Sequence, residues 1–153
     1  MTDATLEARL RRLEDVETAR GMFFLYAQAL DRPDPAAVAT LFTDDASLHT
    51  PRGSFRGRDA IEAFYASAFA ADPSIKRHFI VNHRVLGSDE GAVRLHSYFL
   101  YTGRGEGASL IGWGTYEDVV DVTGAEPRLR EKTIAVHVGT DLSTGWSAEG
   151  SGP

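Results

Sequence analysis

The feature that most limits the folds open to this chain is a change of period along it: helical spacing runs to about residue 72, and strand alternation follows. The later part holds four segments, "RHFIVNHRVLG", "AVRLHSYFLYT", "SLIGWGTYEDVVDV" and "RLREKTIAVHVGT", separated only by "SDEG", "GRGEGA" and "TGAEP". Loops so short and so rich in turn-forming residues join strands that lie side by side and run in opposite directions. An antiparallel meander is therefore expected.

Upstream, Leu6, Leu10, Leu13, Phe23, Ala27 and Leu30 recur at helical spacings, which predicts one long helix from Thr5 to Leu30, with a bend near Gly21. Arg32-Pro33 ends it, because the residue before a proline is driven out of the α region, and Asp31 is left at the helix's C-terminal edge. Asp34-Pro35 has the form of an N-cap followed by proline at the first helical position and opens a short helix through "AAVATLF". Asp44 and Asp45 read as turn formers before a brief strand, "ASLHT". In "GRDAIEAFYASAFA", Ile61, Phe64, Tyr65, Ala68 and Phe69 share one helical face, and Asp72-Pro73 stops that helix.

Helices first and sheet second is the order of an α+β fold. The expected architecture is a cone-shaped, strongly curved antiparallel sheet wrapped around the N-terminal helices, with a hydrophobic cavity inside that suits a small hydrophobic molecule. A chain of 153 residues suits a single domain spanning 1–153, and the small, polar residues from about 144 to 153, Trp146 apart, read as a loose tail.

Composition removes several classes of function. A formal charge of −6 repels a phosphate backbone, so nucleic acid is not an expected partner. The basic cluster Arg9, Arg11 and Arg12 alternates with Glu7, Glu14 and Asp15, as a solvated helix face does. With no cysteine there is no thiolate nucleophile, disulfide or cysteine-bound metal. No apolar run approaches membrane-spanning length and the N-terminus lacks a signal-peptide core, so no membrane association and a cytoplasmic location are expected.

Five histidines are present, and His78 and His83 share one predicted strand. An odd separation sends them to opposite faces unless a bulge intervenes, so they are not expected to share a metal. Among His49, His78, His83, His96 and His137 there is no His-x-His or His-x-x-x-His pair, and no metal site is expected. In the next strand Val93, Leu95, Ser97, Phe99 and Tyr101 form the apolar face, which makes Tyr101 a pocket candidate and turns His96 outward. His49 and His137 read as ordinary strand residues, and Trp113 as packing. The third strand is apolar on both faces, as in an oligomer, and a homodimer or homotrimer is expected; Gly112 and Gly114 mark a bulge or tight curve.

Through "YAQALDRPDPAAVATLFTDDASL", "GRDAIEAFY" and "RHFIVNHRV", the chain resembles the SnoaL-like branch of the nuclear-transport-factor-2-like superfamily, over roughly residues 6 to 140. That superfamily holds dehydratases, isomerases, cyclases, a dehydrochlorinase and catalytically inert subunits, so the resemblance implies a fold before it implies a substrate. Several of its dehydratases and its dehydrochlorinase use an Asp–His dyad, the Asp ending the long first helix and the His opening the strand after the third helix. The matching positions here are Asp31 and His78. A pocket tyrosine of some relatives falls at Tyr26, and "LIGWGTY" is similar to a stretch of the dehydrochlorinase. Two departures stand out: a second polar catalytic residue of the dehydratases falls near Tyr101, and the dehydrochlorinase's pocket lysine has no counterpart in the first helix.

The resemblance implies a cofactor-independent lyase or isomerase with dehydratase, isomerase or cyclase chemistry on a hydrophobic, hydroxylated or carbonyl-bearing ring compound. Asp31 would hold one tautomer of His78, the catalytic base, in a pocket lined by Phe23, Tyr26, Phe64, Phe99 and Tyr101. Neither an organic cofactor nor a metal is expected. The alternative is a non-catalytic binding or assembly module, such as an oxygenase small subunit, in which Asp31 pairs with Arg32 or caps its helix and His78 is a core residue. A filled cavity, or an Asp31–His78 separation beyond hydrogen-bond reach, would mark that alternative.

Overall fold

The computed structural model describes residues 3–143 except Glu90, with side chains from Thr5 onward; the expected tail and Trp146 lie outside the described residues. Helix α1 (Asp3–Asp31) is followed by α2 (Pro35–Thr40), β1 (Phe42–Thr50), β2 (Gly53–Arg56) and α3 (Arg58–Ala71). Four strands complete the chain: β3 (Ile75–Asp89), β4 (Ala92–Arg104), β5 (Ser109–Asp121) and β6 (Arg128–Asp141). Helices lead and the sheet follows, as the order of periodicities predicts. Helix α1 runs unbroken through Gly21.

The local stop signals act as expected. Asp34 caps α2, its carboxylate accepting the backbone N–H groups of Ala36 at 3.0 Å and Ala37 at 3.2 Å, with Pro35 in the first helical turn. Gly57, with φ +84°, turns the chain from β2 into α3, a conformation that other residues adopt at a cost.

The six strands lie in the order β2-β1-β6-β5-β4-β3. Strands β3 to β6 form the antiparallel meander that the short loops dictate. The sheet as a whole is mixed, because β1 runs parallel to β6, pairing Leu48 with Lys132 and His49 with Thr133. Short loops decide direction only between consecutive strands, whereas β1 and β6 are brought together by the rest of the fold. Strand β2, an antiparallel edge partner of β1, carries only four residues and left no period to read.

The helices pack on one face of this sheet. From α1 come Ala19, Met22, Phe23 and Tyr26, from α3 Ile61 and Tyr65, and they meet Val93, Leu95 and Phe99 of β4 in one buried cluster. On β4 the apolar alternation holds, since Val93, Leu95, Ser97 and Phe99 are buried and Tyr98 is half-exposed on the other face.

On β3 the simple alternation fails. The register against β4 shifts between Val81 and Arg84, and Asn82 sits there at φ +55°, a left-handed conformation that asparagine tolerates better than most residues. This extra residue restores His83 to the inner face, where its ring stacks on Phe23 at 4.2 Å between centroids and its Nε2 lies 3.0 Å from the Ile80 carbonyl. His78 and His83 thus point to the same side of the sheet, against the expectation from parity alone.

Gly112 and Gly114 of β5 have a related role. A Cβ on Gly112 would lie 2.3 Å from the Tyr101 ring, and one on Gly114 would lie 1.9 Å from the Ala135 carbonyl oxygen and 2.8 Å from the Phe99 ring. The strand is bare at these points so that two aromatic rings of β4 can lie across it. A register shift against β6 falls between Trp113 and Gly114, the bulge foreseen there. Among the described residues, no helix is long and apolar enough to cross a membrane.

Candidate active site

Between the helices and the inner face of the sheet is a cavity of about 560 Å³, within the size range of small-molecule sites. Its wall is mainly apolar, with Leu30, Phe64, Phe69, Phe99 and Ile134 among the residues exposed to it. Into this wall are set a few polar groups: Asp31, His78, Tyr26, Tyr65, Tyr101, Arg52 from the β1–β2 turn, and Asp72 and Lys76 near the α3–β3 connection.

Asp31 is delivered by the end of α1 and His78 by the first turns of β3, two points 47 residues apart in the chain. One carboxylate oxygen of Asp31 accepts two hydrogen bonds, from the His78 backbone N–H at 2.9 Å and from the ring Nδ1 at 2.9 Å. An ionised carboxylate can only accept, so Nδ1 carries the hydrogen and Nε2 is left with its lone pair. Their side chains are largely buried, 10% exposed for His78 and 20% for Asp31. Burial pulls the His78 pKa below its ordinary value, and the Asp31 carboxylate offsets only part of that pull. The neutral, base-competent imidazole therefore persists to lower pH than in a free histidine.

Tyr26, Tyr65 and Tyr101 are three of the four phenols around the cavity, Tyr116 being the fourth. Tyr101 lies across from His78 in the paired strand, with 5.7 Å between ring centroids. At the inner end the hydroxyls of Tyr26 and Tyr65 are 2.5 Å apart. Burial raises the pKa values of all three, so each remains a protonated hydrogen-bond donor at neutral pH.

Behind that tyrosine pair lies a buried ion pair. Lys132 of β6 faces Asp118 of β5 across the strand pairing, with Nζ 2.9 Å from one carboxylate oxygen and 3.2 Å from the other. Both side chains are almost completely enclosed, 1% and 2% exposed. The ammonium also sits 4.1 Å from the centroid of the Tyr26 ring and 3.6 Å from that of Tyr116. Burial pushes Lys132 down and Asp118 up, and each partner opposes the shift of the other. A partial signal existed, since Asp118 shares parity with the inward Tyr116 and Val120. The identity of its partner needed the β5–β6 register.

Of the proposed pocket residues, Tyr26, Phe64, Phe99 and Tyr101 line the cavity beside Asp31 and His78. Phe23 is a correction. It belongs to the buried core and spends its ring on His83, one helical turn before Tyr26, because the β3 bulge turns that histidine toward α1. Tyr65, Tyr116, Arg52 and the Asp72–Lys76 pair were not anticipated as part of the wall; Tyr65 was visible only as one of several apolar positions on its helix. The remaining histidines are dispersed: His49 bonds Ser54 at 2.9 Å, and His96 stacks edge-on to Tyr98. Among the described residues, no three acidic or histidine side chains converge as a metal would require.

The SnoaL-like domain family matches residues 11–133. No curated protein matches the sequence closely enough to count as a relative. Among solved structures, a protein of Novosphingobium aromaticivorans described as a candidate scytalone dehydratase superposes with TM-score 0.73 at 21% identity, covering 94% of this chain and 93% of its own. A hexachlorocyclohexane dehydrochlorinase, LinA type 2, gives TM-score 0.76 at 17% identity, with 93% and 99% covered. The β subunit of a candidate aromatic-ring-hydroxylating dioxygenase from N. aromaticivorans gives 0.70 at 19%, with 84% and 92% covered. Identities this low carry the fold alone, and a fold does not by itself fix a function.

Proposed function

Because this chain belongs to the SnoaL-like family, we propose that it is a cofactor-independent lyase or isomerase acting on a hydrophobic ring compound that bears hydroxyl or carbonyl groups. The observation that carries this reading is the Asp31–His78 hydrogen bond at 2.9 Å, set in a mainly apolar cavity of about 560 Å³. The competing reading, an assembly or binding module, called for a filled cavity or a separated pair. The open cavity and the short contact support the enzyme.

In the proposed reaction Nε2 of His78 removes a proton from a carbon next to a carbonyl, and the Asp31 carboxylate stabilises the imidazolium that results. Negative charge moves onto the carbonyl oxygen, where a phenol hydroxyl of Tyr101 or of the Tyr26–Tyr65 pair donates a hydrogen bond. If a hydroxyl stands on the neighbouring carbon, the imidazolium proton leaves with it as water, which is dehydration. If the proton returns to a different carbon, the outcome is isomerisation; if the carbanion attacks a second carbonyl in the same molecule, it is cyclisation.

The test is the pH dependence of kcat/KM on a panel of such ring compounds, for the native chain and Asp31→Asn. In the native protein the acidic limb should fall below the ordinary histidine pKa, because burial depresses His78. A carboxylate favours the protonated ring, so Asp31→Asn should move that limb to still lower pH while reducing kcat by about 10²-fold or more. An unmoved limb, with turnover retained, would remove the pair from the mechanism.

The outer face of the sheet supports a homo-oligomer, a homodimer or homotrimer. Phe79, Val81 and Tyr98 are 49%, 44% and 47% exposed there, and Val81 pairs directly with Tyr98. Sedimentation equilibrium should give a mass of two or three chains, and Tyr98→Glu should reduce it to one; a monomeric native protein would end this reading.

A further inference from the structure

We propose that the cavity carries an anion-binding position built on Arg52, and that the substrate is accordingly a ring compound bearing an anionic oxygen group such as a carboxylate. The inference rests on the reading of the cavity as a substrate site and adds to it the charge that the substrate brings.

Three observations support it. First, the acidic and basic groups of the cavity wall have partners, with the exception of Arg52. The Asp31 carboxylate is bonded to His78. Asp72 takes Lys76 Nζ at 2.7 Å, the Ser74 hydroxyl at 2.6 Å and the Ser74 N–H at 3.1 Å. Arg52 has no carboxylate partner among the described residues, so the wall carries one cation with no counter-ion in contact with it.

Second, the guanidinium is held in a way that keeps its donors available. Its central carbon lies 5.6 Å from the centroid of Phe64, itself part of the cavity wall. A cation–π contact of this kind uses no hydrogen-bond acceptor, and the five N–H groups of a guanidinium match the two oxygens of a carboxylate.

Third, the backbone under Arg52 is ordered by its own turn. Thr50 Oγ1 accepts the Arg52 N–H at 3.0 Å and donates to the Gly53 carbonyl at 3.2 Å, and Gly53 closes the turn at φ +134°. A cation presented from a fixed turn onto an apolar cavity loses less freedom on binding than one on a loose loop.

The experiment uses the full-length chain and two fluorescent probes with one ring skeleton, the neutral N-phenyl-1-naphthylamine and its 8-sulfonate. The native protein should bind both, each displacing the other, and hold the sulfonate more tightly, with an affinity that falls as salt is added. Arg52→Gln, an exposed turn substitution, should weaken sulfonate binding by a factor of about ten, the loss of one charge-assisted contact, and leave the neutral probe within about twofold. Unchanged sulfonate affinity in Arg52→Gln, binding of the two probes without competition, or no preference for the sulfonate would each overturn the proposal. Failure of the neutral probe to bind would instead sink the reading of the cavity as an apolar substrate site, and this proposal with it.

Discussion

His78→Ala is expected to lower kcat/KM by about 10²–10⁴-fold, the range in which a positioned general base contributes, while the protein keeps its fold. The separation of activity from stability follows from the local contacts. Asp31 still accepts the His78 backbone N–H when the ring is gone, and its 20% exposed side chain can draw on water for the rest. The converse truncation is less clean, because Asp31→Ala also removes the acceptor of that backbone N–H. Steady-state kinetics beside a thermal melt will decide. Turnover within a few-fold of the native protein, with an unchanged melt, would show that His78 is a wall residue and nothing more.

The largest expected effect on stability comes from Lys132→Met. It leaves the Asp118 carboxylate enclosed without its counter-ion, and stranding one member of a buried ion pair costs about 3–5 kcal/mol. For a chain of this size that corresponds to a fall in Tm of roughly 10 °C or more. The cation also contacts the faces of Tyr26 and Tyr116, so its loss should loosen the inner end of the cavity. Replacing both partners, Lys132→Met with Asp118→Leu, should recover most of the stability, because two apolar side chains need no counter-charge. A thermal-denaturation cycle over the two single variants and the double measures the coupling. Strictly additive losses would show that the two groups do not act as a pair.

How much of this site could be read in advance depended on the distance over which each rule operates. Asp31 was placed at a helix end by Pro33, two residues away. Tyr101 was placed on the inner face by the alternation of its own strand. That Asp31 should meet His78 came from likeness to other proteins, since no periodicity links positions 47 residues apart. Phe23 marks the limit of spacing: the helical period puts it on the buried face, but whether such a residue meets the cavity or another side chain depends on what stands opposite. Opposite it stands His83, turned inward by one extra residue at Asn82.

The sequence by itself determined the order of elements, the helix stops, the antiparallel run from β3 to β6, and a chemical inventory from which thiol chemistry is absent. Each of these rests on interactions within a turn, a loop or one strand, where backbone sterics and side-chain alternation act directly. The tertiary structure decided the parallel closure of β1 on β6, the face taken by His83, the Lys132–Asp118 pair and the cluster of polar groups around one cavity. These depend on register between segments remote in the chain, and a single bulge reverses the parity of every residue beyond it.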